Sequence, residues 1–304
     1  MIRFRVELGR HYRPKFRHGL GVHIDRDVKP LSERTTDFLT RFGRTRSDYA
    51  GCKGLTKSEW AWEFLRRNPD YKRAFVVSRS RLSQIARLNK GTPVMRPKGC
   101  QASASDWGLE CFSDPVLSAV ETPVFWSQAA LKHHAEAEAS AVDVGRAQAD
   151  LNIFRDRNCA AILERTQGVS VLLRTPKEAI DLQIAGTNIL LAPASLTFRI
   201  DGLNAVKSRA ATLLLLLQTI QTRTSGNTNP LPRHQRLGLL KALVALDCKQ
   251  SGGSLQDTAI VFRALRLTRL SWSTIGDESL KKQVIRARNR GLKLMQGGYR
   301  SLLR

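Results

Sequence analysis

The last 26 residues of the chain, Ser279 to Arg304, carry eight Lys or Arg side chains and no Asp or Glu. Wound as a helix at about 100° per residue, Leu280, Val284, Ala287, Gly291, Leu294 and Met295 fall in one sector, and Lys282, Arg286, Asn289, Arg290 and Lys293 fall in the opposite one. One side can pack while the other meets an anion. Arg pairs bidentately with guanine, Asn with adenine, and Lys mostly holds phosphate. With double-stranded DNA as partner, the expectation is Arg286 and Asn289 on base edges and Lys282, Arg290 and Lys293 on the backbone. A solvated helix face is the commoner fate of a charge run. Residues 231–304, however, hold 15 basic against 4 acidic side chains, so most of these cations have no acid to neutralise them.

Other residue types offer less chemistry. Trp60, Trp62, Phe64 and Tyr71 crowd one short stretch and read either as core or as anchors of a partner interface. His133 and His134 are adjacent, so they cannot share one helix face as paired metal ligands do, and solvated positions are expected. The five cysteines are scattered without a CxxC pair, which argues against a zinc finger and a disulfide framework. Phosphate-binding glycines (GxGxxG, GxxxxGK[ST]) and an HExxH motif are missing. No catalytic residue, cofactor or metal site is expected. A nuclease or recombinase stays as an alternative from another class, which needs a nucleophile or an acidic metal cluster.

The elements that would hold these residues follow from charge and periodicity. A formal charge of +24 on 304 residues predicts nucleic acid first and an anionic membrane second as partner. Basic and acidic side chains number 13 and 6 in residues 1–55, 11 and 7 in 56–130, 11 and 9 in 131–230. The ends are basic and the middle is ordinary. Without a signal-like apolar stretch or a run long enough to span a bilayer, a cytoplasmic protein is expected, with no membrane partner.

Five segments are expected. Residues 1–45 read as a basic, irregular arm. Residues 46–130 begin a folded part with a helix through KSEWAWEFLRRNPDY, ended by Pro69, followed by loops closing a small core around Trp107 and Trp126. The Ala/Glu-rich segment in 131–164 has high helix propensity and a weak apolar face, which predicts a helical linker. In 165–230, the runs VSVLLR, AIDLQIAG, NILLAP and SLTFRID predict a four-stranded antiparallel meander, and ATLLLLLQTIQT a buried helix. Residues 231–304 read as three helices. The first is RHQRLGLLKALVALDCKQ with Leu237, Leu240, Val244 and Leu246 as its core stripe. The second opens at Ser254 with Asp257 three residues on, close to a capping box, and buries Ala259, Val261, Phe262 and Leu265. The third is the basic one. This is a helix-turn-helix-like arrangement whose turn, Arg266 to Gly276, is longer than the usual three or four residues. The fold class is α+β, as two small domains: a mostly helical N-terminal part, then the meander and the helical C-terminal part.

At this point strings, not patterns, become informative. EWAWEFLRRNPDY, DWGLECFSDP and VFW resemble a proteobacterial transcriptional regulator-like domain. LLKALVALDCKQSGGSLQDTAIVF, SW, the basic helix and LMQGGYRSLL resemble a helix-turn-helix domain found in regulators of integrative and conjugative elements. The tandem is similar to the activators of excision of rhizobial mobile elements. The resemblance implies a transcriptional activator of excisionase or transfer genes, restrained by a small antiactivator, with no catalytic residues. The N-terminal part is then expected to meet RNA polymerase or a partner protein, with reading and activating separable. A pure interaction protein that sequesters another transcription factor is the remaining alternative.

Overall fold

The computed structural model describes residues 46–88, 91–141, 159–175, 178–191, 194–200, 206–221, 231–268 and 278–304. The arm 1–45 and most of the turn between the last two helices lie outside the described residues. Within them the chain is α+β, with helices at both ends and one sheet in the middle.

The N-terminal helices are set by two caps. A 3-10 helix, Arg46–Gly54, leads to α1 (Lys57–Leu65), where Thr56 Oγ1 accepts from the Glu59 amide and Glu59 Oε2 accepts from the Thr56 amide. The reciprocal pair satisfies two donors that a helix start leaves free. A single helix ended by Pro69 is not what forms. The chain turns after Leu65, Asn68 caps again, and Pro69 opens α2 (Pro69–Ser78). Pro fits the first helical position because its missing N–H has no partner to lose there.

The sheet has seven strands: β1 (Arg81–Arg87), β2 (Pro93–Lys98), β3 (His134–Ala141), β4 (Cys159–Glu164), β5 (Val169–Arg174), β6 (Ala179–Gly186) and β7 (Ala194–Phe198), in the order β1-β2-β4-β5-β6-β3-β7. β2 and β4 are parallel, as are β3 and β6; the other neighbours are antiparallel. The four-stranded meander is therefore corrected to part of a larger mixed sheet. VSVLLR and AIDLQIAG are β5 and β6, SLTFRID contributes to β7, and Ile189 to Leu191 of NILLAP form a turn.

The helical linker is also overturned. HAEAEASA is β3, inserted between β6 and β7, with Ala135, Ala137 and Ala139 buried and the polar positions alternating with them. Tertiary pairing on both sides outweighs the intrinsic preference of Ala and Glu for helix. His133 and His134 are buried rather than solvated: His133 Nδ1 lies 3.3 Å from Thr212 Oγ1 and His134 Nδ1 3.1 Å from Asp181 Oδ2. Burial pushes the His133 imidazole below its usual pKa.

Helix α3 (Val206–Gln221) covers one face of the sheet, packing Leu216 onto a cluster with Ile162, Val171, Ile180 and Leu182. Leu214 and Leu217 of this helix point to solvent, so it is half-buried where full burial was expected. On the other face Cys111 and Phe125 close over Met95, Ala161, Leu163 and Leu172. Trp126 is buried as expected and Trp107 packs at the edge of the helical core.

That helical core joins the two ends of the chain. α1 and α2 pack in one cluster with α4 (Arg233–Gln250), α5 (Leu255–Ala264), α6 (Glu278–Met295) and a closing 3-10 helix, Gly298–Leu302. Trp60, Phe64, Leu243, Phe262, Leu280 and Tyr299 all belong to it.

Candidate nucleic-acid interface

Each C-terminal helix is placed by local chemistry. On α4 the stripe is displaced by a residue or two: Leu239, Leu243, Val244 and Leu246 are buried, Leu240 is half-buried and Leu237 is 36% exposed. The helix is wrapped on several sides, so a one-stripe pattern undercounts its contacts. α5 begins at a full capping box, in which Ser254 Oγ accepts from the Asp257 amide at 3.1 Å and Asp257 Oδ2 from the Ser254 amide at 2.8 Å. Ala259, Val261, Phe262 and Leu265 are buried as expected.

On α6 the buried residues are Leu280, Val284, Ala287, Gly291, Leu294 and Met295, the six that its periodicity selects. Gly291 is the point of closest approach to α4. A Cβ at that position would lie 2.4 Å from the Ala242 carbonyl oxygen and 3.0 Å from Leu246 Cβ, so only glycine lets the helices come this near. Arg288, which sequence reasoning passed over, faces neither side: its Nη2 donates to the Gly253 carbonyl at 2.7 Å and ties α6 to the start of α5. The only signal for it was its place at the border between the two sectors.

Lys282, Arg286, Asn289, Arg290 and Lys293 are all exposed. Lys282 Nζ pairs with Glu278 Oε2 at 2.5 Å, one helical turn back. Among the described residues the other four side chains have no hydrogen-bond or ion-pair partner. The Arg290 guanidinium lies over Gly238 of α4, where an added Cβ would come within 2.8 Å of Nη1. α6 thus offers four uncommitted polar side chains on a rod fixed by its opposite edge.

The helix on which this rod packs, α4, is bolted to the N-terminal helices through buried charge. Arg67 Nε and Nη2 donate to Asp247 Oδ1 and Oδ2 at 2.5 and 3.0 Å, and its Nη1 donates to Glu63 Oε2 at 2.7 Å. Tyr49 Oη donates to Asp247 Oδ2 at 2.8 Å. Burial opposes the charge on Glu63, but Arg67, Arg66 and the Ala119 amide outweigh it and hold the carboxyl below its usual range. Asn68 Nδ2 and Gln250 Nε2 complete the seam by donating to the Met295 and Arg67 carbonyls. Nothing in the sequence marked Asp247, on α4, as a partner for Arg67, 180 positions earlier.

Trp60, Trp62, Phe64 and Tyr71 lie in this core with no more than 1% of their surface exposed. As partner anchors they are corrected: a side chain without accessible surface has nothing to offer another protein. Among the described residues no group of three or more His, Cys, Asp or Glu is arranged to hold a metal ion, and no helix is long and apolar enough to cross a membrane.

Two family models match. Residues 42–111 match the proteobacterial transcriptional regulator-like domain, and residues 199–304 match a family described as "T6SS, Transcription factor, DNA binding domain". No curated protein and no solved structure matches the chain. The second match spans α3 to the C-terminus and so contains the whole exposed face of α6. The two matches support a DNA-binding transcriptional regulator.

Proposed function

We propose that this DNA-binding regulator is a sequence-specific transcriptional activator which lays α6 in the major groove of duplex DNA. Arg286 and Asn289, one turn apart, would read base edges, with Lys282, Arg290 and Lys293 on phosphates. The observation that carries the reading is the uncommitted cationic edge of α6, whose other edge is wholly buried in a segment similar to a DNA-binding domain. A helix held on one side by packing and bare on the other is the arrangement that groove-reading helices use.

The target genes are proposed to be excisionase or transfer genes of an integrative and conjugative element, with RNA polymerase and a small antiactivator as protein partners. A second reading, promoters of secretion genes, is favoured by the wording of the C-terminal family's description. The two share one chemistry and differ in operator. Selecting bound duplexes from a random pool and locating the resulting sequence in the source genome separates them.

Binding itself is tested by titrating salt. Replacing Arg286 and Lys293 by Ala removes one base reader and one phosphate contact, and the phosphate contact contributes about 0.9 to the log–log slope for B-DNA. Loss of Arg286 as a base reader costs about 1–3 kcal/mol of discrimination against wrong bases. A double variant with wild-type affinity, slope and sequence preference removes α6 from the interface.

A further inference from the structure

Among the described residues, the ribbon formed by β1 and β2 is a further concentration of unneutralised charge. From Arg79 to Lys98 the chain has six Lys or Arg and no Asp or Glu. Arg87 Nη1 donates to the Gly91 carbonyl and Arg96 forms a two-pronged pair with Glu164, so these two are committed. Arg79, Arg81 and Lys98 are exposed, and among the described residues their side chains have no hydrogen-bond or ion-pair partner.

These three meet at the base of the ribbon. Arg81 and Lys98 are direct cross-strand partners. Like charges placed opposite each other in an antiparallel pair repel, so the pairing works against the ribbon unless an anion lies across it. Arg79 stands immediately before β1 as the C-cap of α2, in the left-handed region at φ 51° and ψ 25°. Gly or Asn takes that conformation at least cost; here it ends α2 and turns the chain into β1. The base is rigid. Ser80 Oγ donates to the Cys100 carbonyl at 2.5 Å, and Gly99 sits so close that a Cβ would lie 2.6 Å from the Arg79 carbonyl oxygen.

We infer that Arg79, Arg81 and Lys98 form a second phosphate-binding site for nucleic acid, which grips the backbone of the duplex held by α6. This rests on the proposed role of α6. Distance allows it: Asn68, at the start of α2, donates to the Met295 carbonyl at the end of α6. The ten residues of α2 span about 15 Å and the nine steps from Arg286 to Met295 about 14 Å, which together stay inside one turn of duplex, about 34 Å. Charge selects it, because the nearest dense row of anions is the duplex itself. The cluster would position the protein without reading sequence, since phosphate contacts carry no base information.

The test uses the full chain, a 30-base-pair duplex of arbitrary sequence and fluorescence anisotropy across a salt series. Changing Arg79, Arg81 and Lys98 to Ser should flatten the log–log slope by roughly 2–3, at about 0.9 per contact, and lower affinity at low salt. Changing Lys53, Lys132 and Lys207 to Ser removes the same charge from elsewhere and should leave most of the slope. Arg286→Ala with Lys293→Ala is run beside them. A slope lowered by the ribbon variant alone keeps this site and refutes the α6 reading; a slope lowered by the α6 variant alone does the reverse. Equal effects of the ribbon and control variants overturn the site. So does a ribbon variant that loses binding to a labelled poly-glutamate peptide but not to DNA, which reassigns the patch to an acidic protein.

Discussion

Asp247→Ala tests the bolt between the chain's two ends. The substitution leaves Arg67 Nε and Nη2 and the Tyr49 hydroxyl without their acceptor, and all of these groups are buried. Glu63 remains, but it is shared between Arg66 and Arg67, so a net positive charge is stranded in the core. Breaking a buried pair by removing one partner costs about 3–5 kcal/mol. With total stabilities of about 5–15 kcal/mol, that is a large share. At about 2–4 °C per kcal/mol for a domain of this size, the melting temperature should fall by roughly 6–20 °C. Circular-dichroism melts of Asp247→Ala, Arg67→Met and the pair Arg67→Met with Asp247→Leu measure the coupling. The double variant, which removes both charges and refills the space, should be more stable than either single one. A single variant within about 1 kcal/mol of the parent, or strictly additive effects, would show that the pair is not a working contact.

Two further expectations follow from the geometry. Gly291→Val should cost about 1–3 kcal/mol, read in the same melts, because backbone rather than a pliable side chain stands 2.4 Å from the new Cβ; an unchanged melt would mean that α4 and α6 can part freely. His133 is held below its usual pKa by burial, so the unfolded chain binds its proton first and stability rises with pH there. Stability should therefore decline as pH falls below about 6.5 and on toward the folded pKa, and His133→Gln should flatten that part of the profile. An unchanged profile in His133→Gln assigns the loss to other groups.

The parts that could be read from sequence are those whose rule is local. α6 shows its six buried residues because one helical period separates two chemically opposite faces, and Ser254 with Asp257 announces the start of α5 within four residues. β3 failed for a related reason. HAEAEASA is rich in helix formers, and its small alternating alanines are a weak period-two signal that only the flanking β6 and β7 make decisive. Its parallel partner β6 begins 45 positions later, beyond any local pattern. The same holds for α4: a stripe assumes one covered side, whereas Ala242 to Cys248 are all buried because α6, α5 and α1 surround them.

The shared core bears on how such a regulator could be controlled. Trp60, Phe64 and Leu65 of the first matched segment and Leu243, Val284 and Leu294 of the second occupy one cluster, so α6 has no foundation of its own. Its position in the domain is set jointly by Gly291 against Ala242, by Arg288 on the Gly253 carbonyl and, through α4, by the Arg67–Asp247 seam. Separating reading from activation by cutting the chain would expose the buried side of α4 and leave Asp247 without Arg67, at a cost of the same order as the bolt itself. A protein that docks on the N-terminal helices therefore need not touch an exposed cation to change DNA binding. It need only favour a different packing of Arg67, because coupling between distant sites travels through buried contacts that both sites bias.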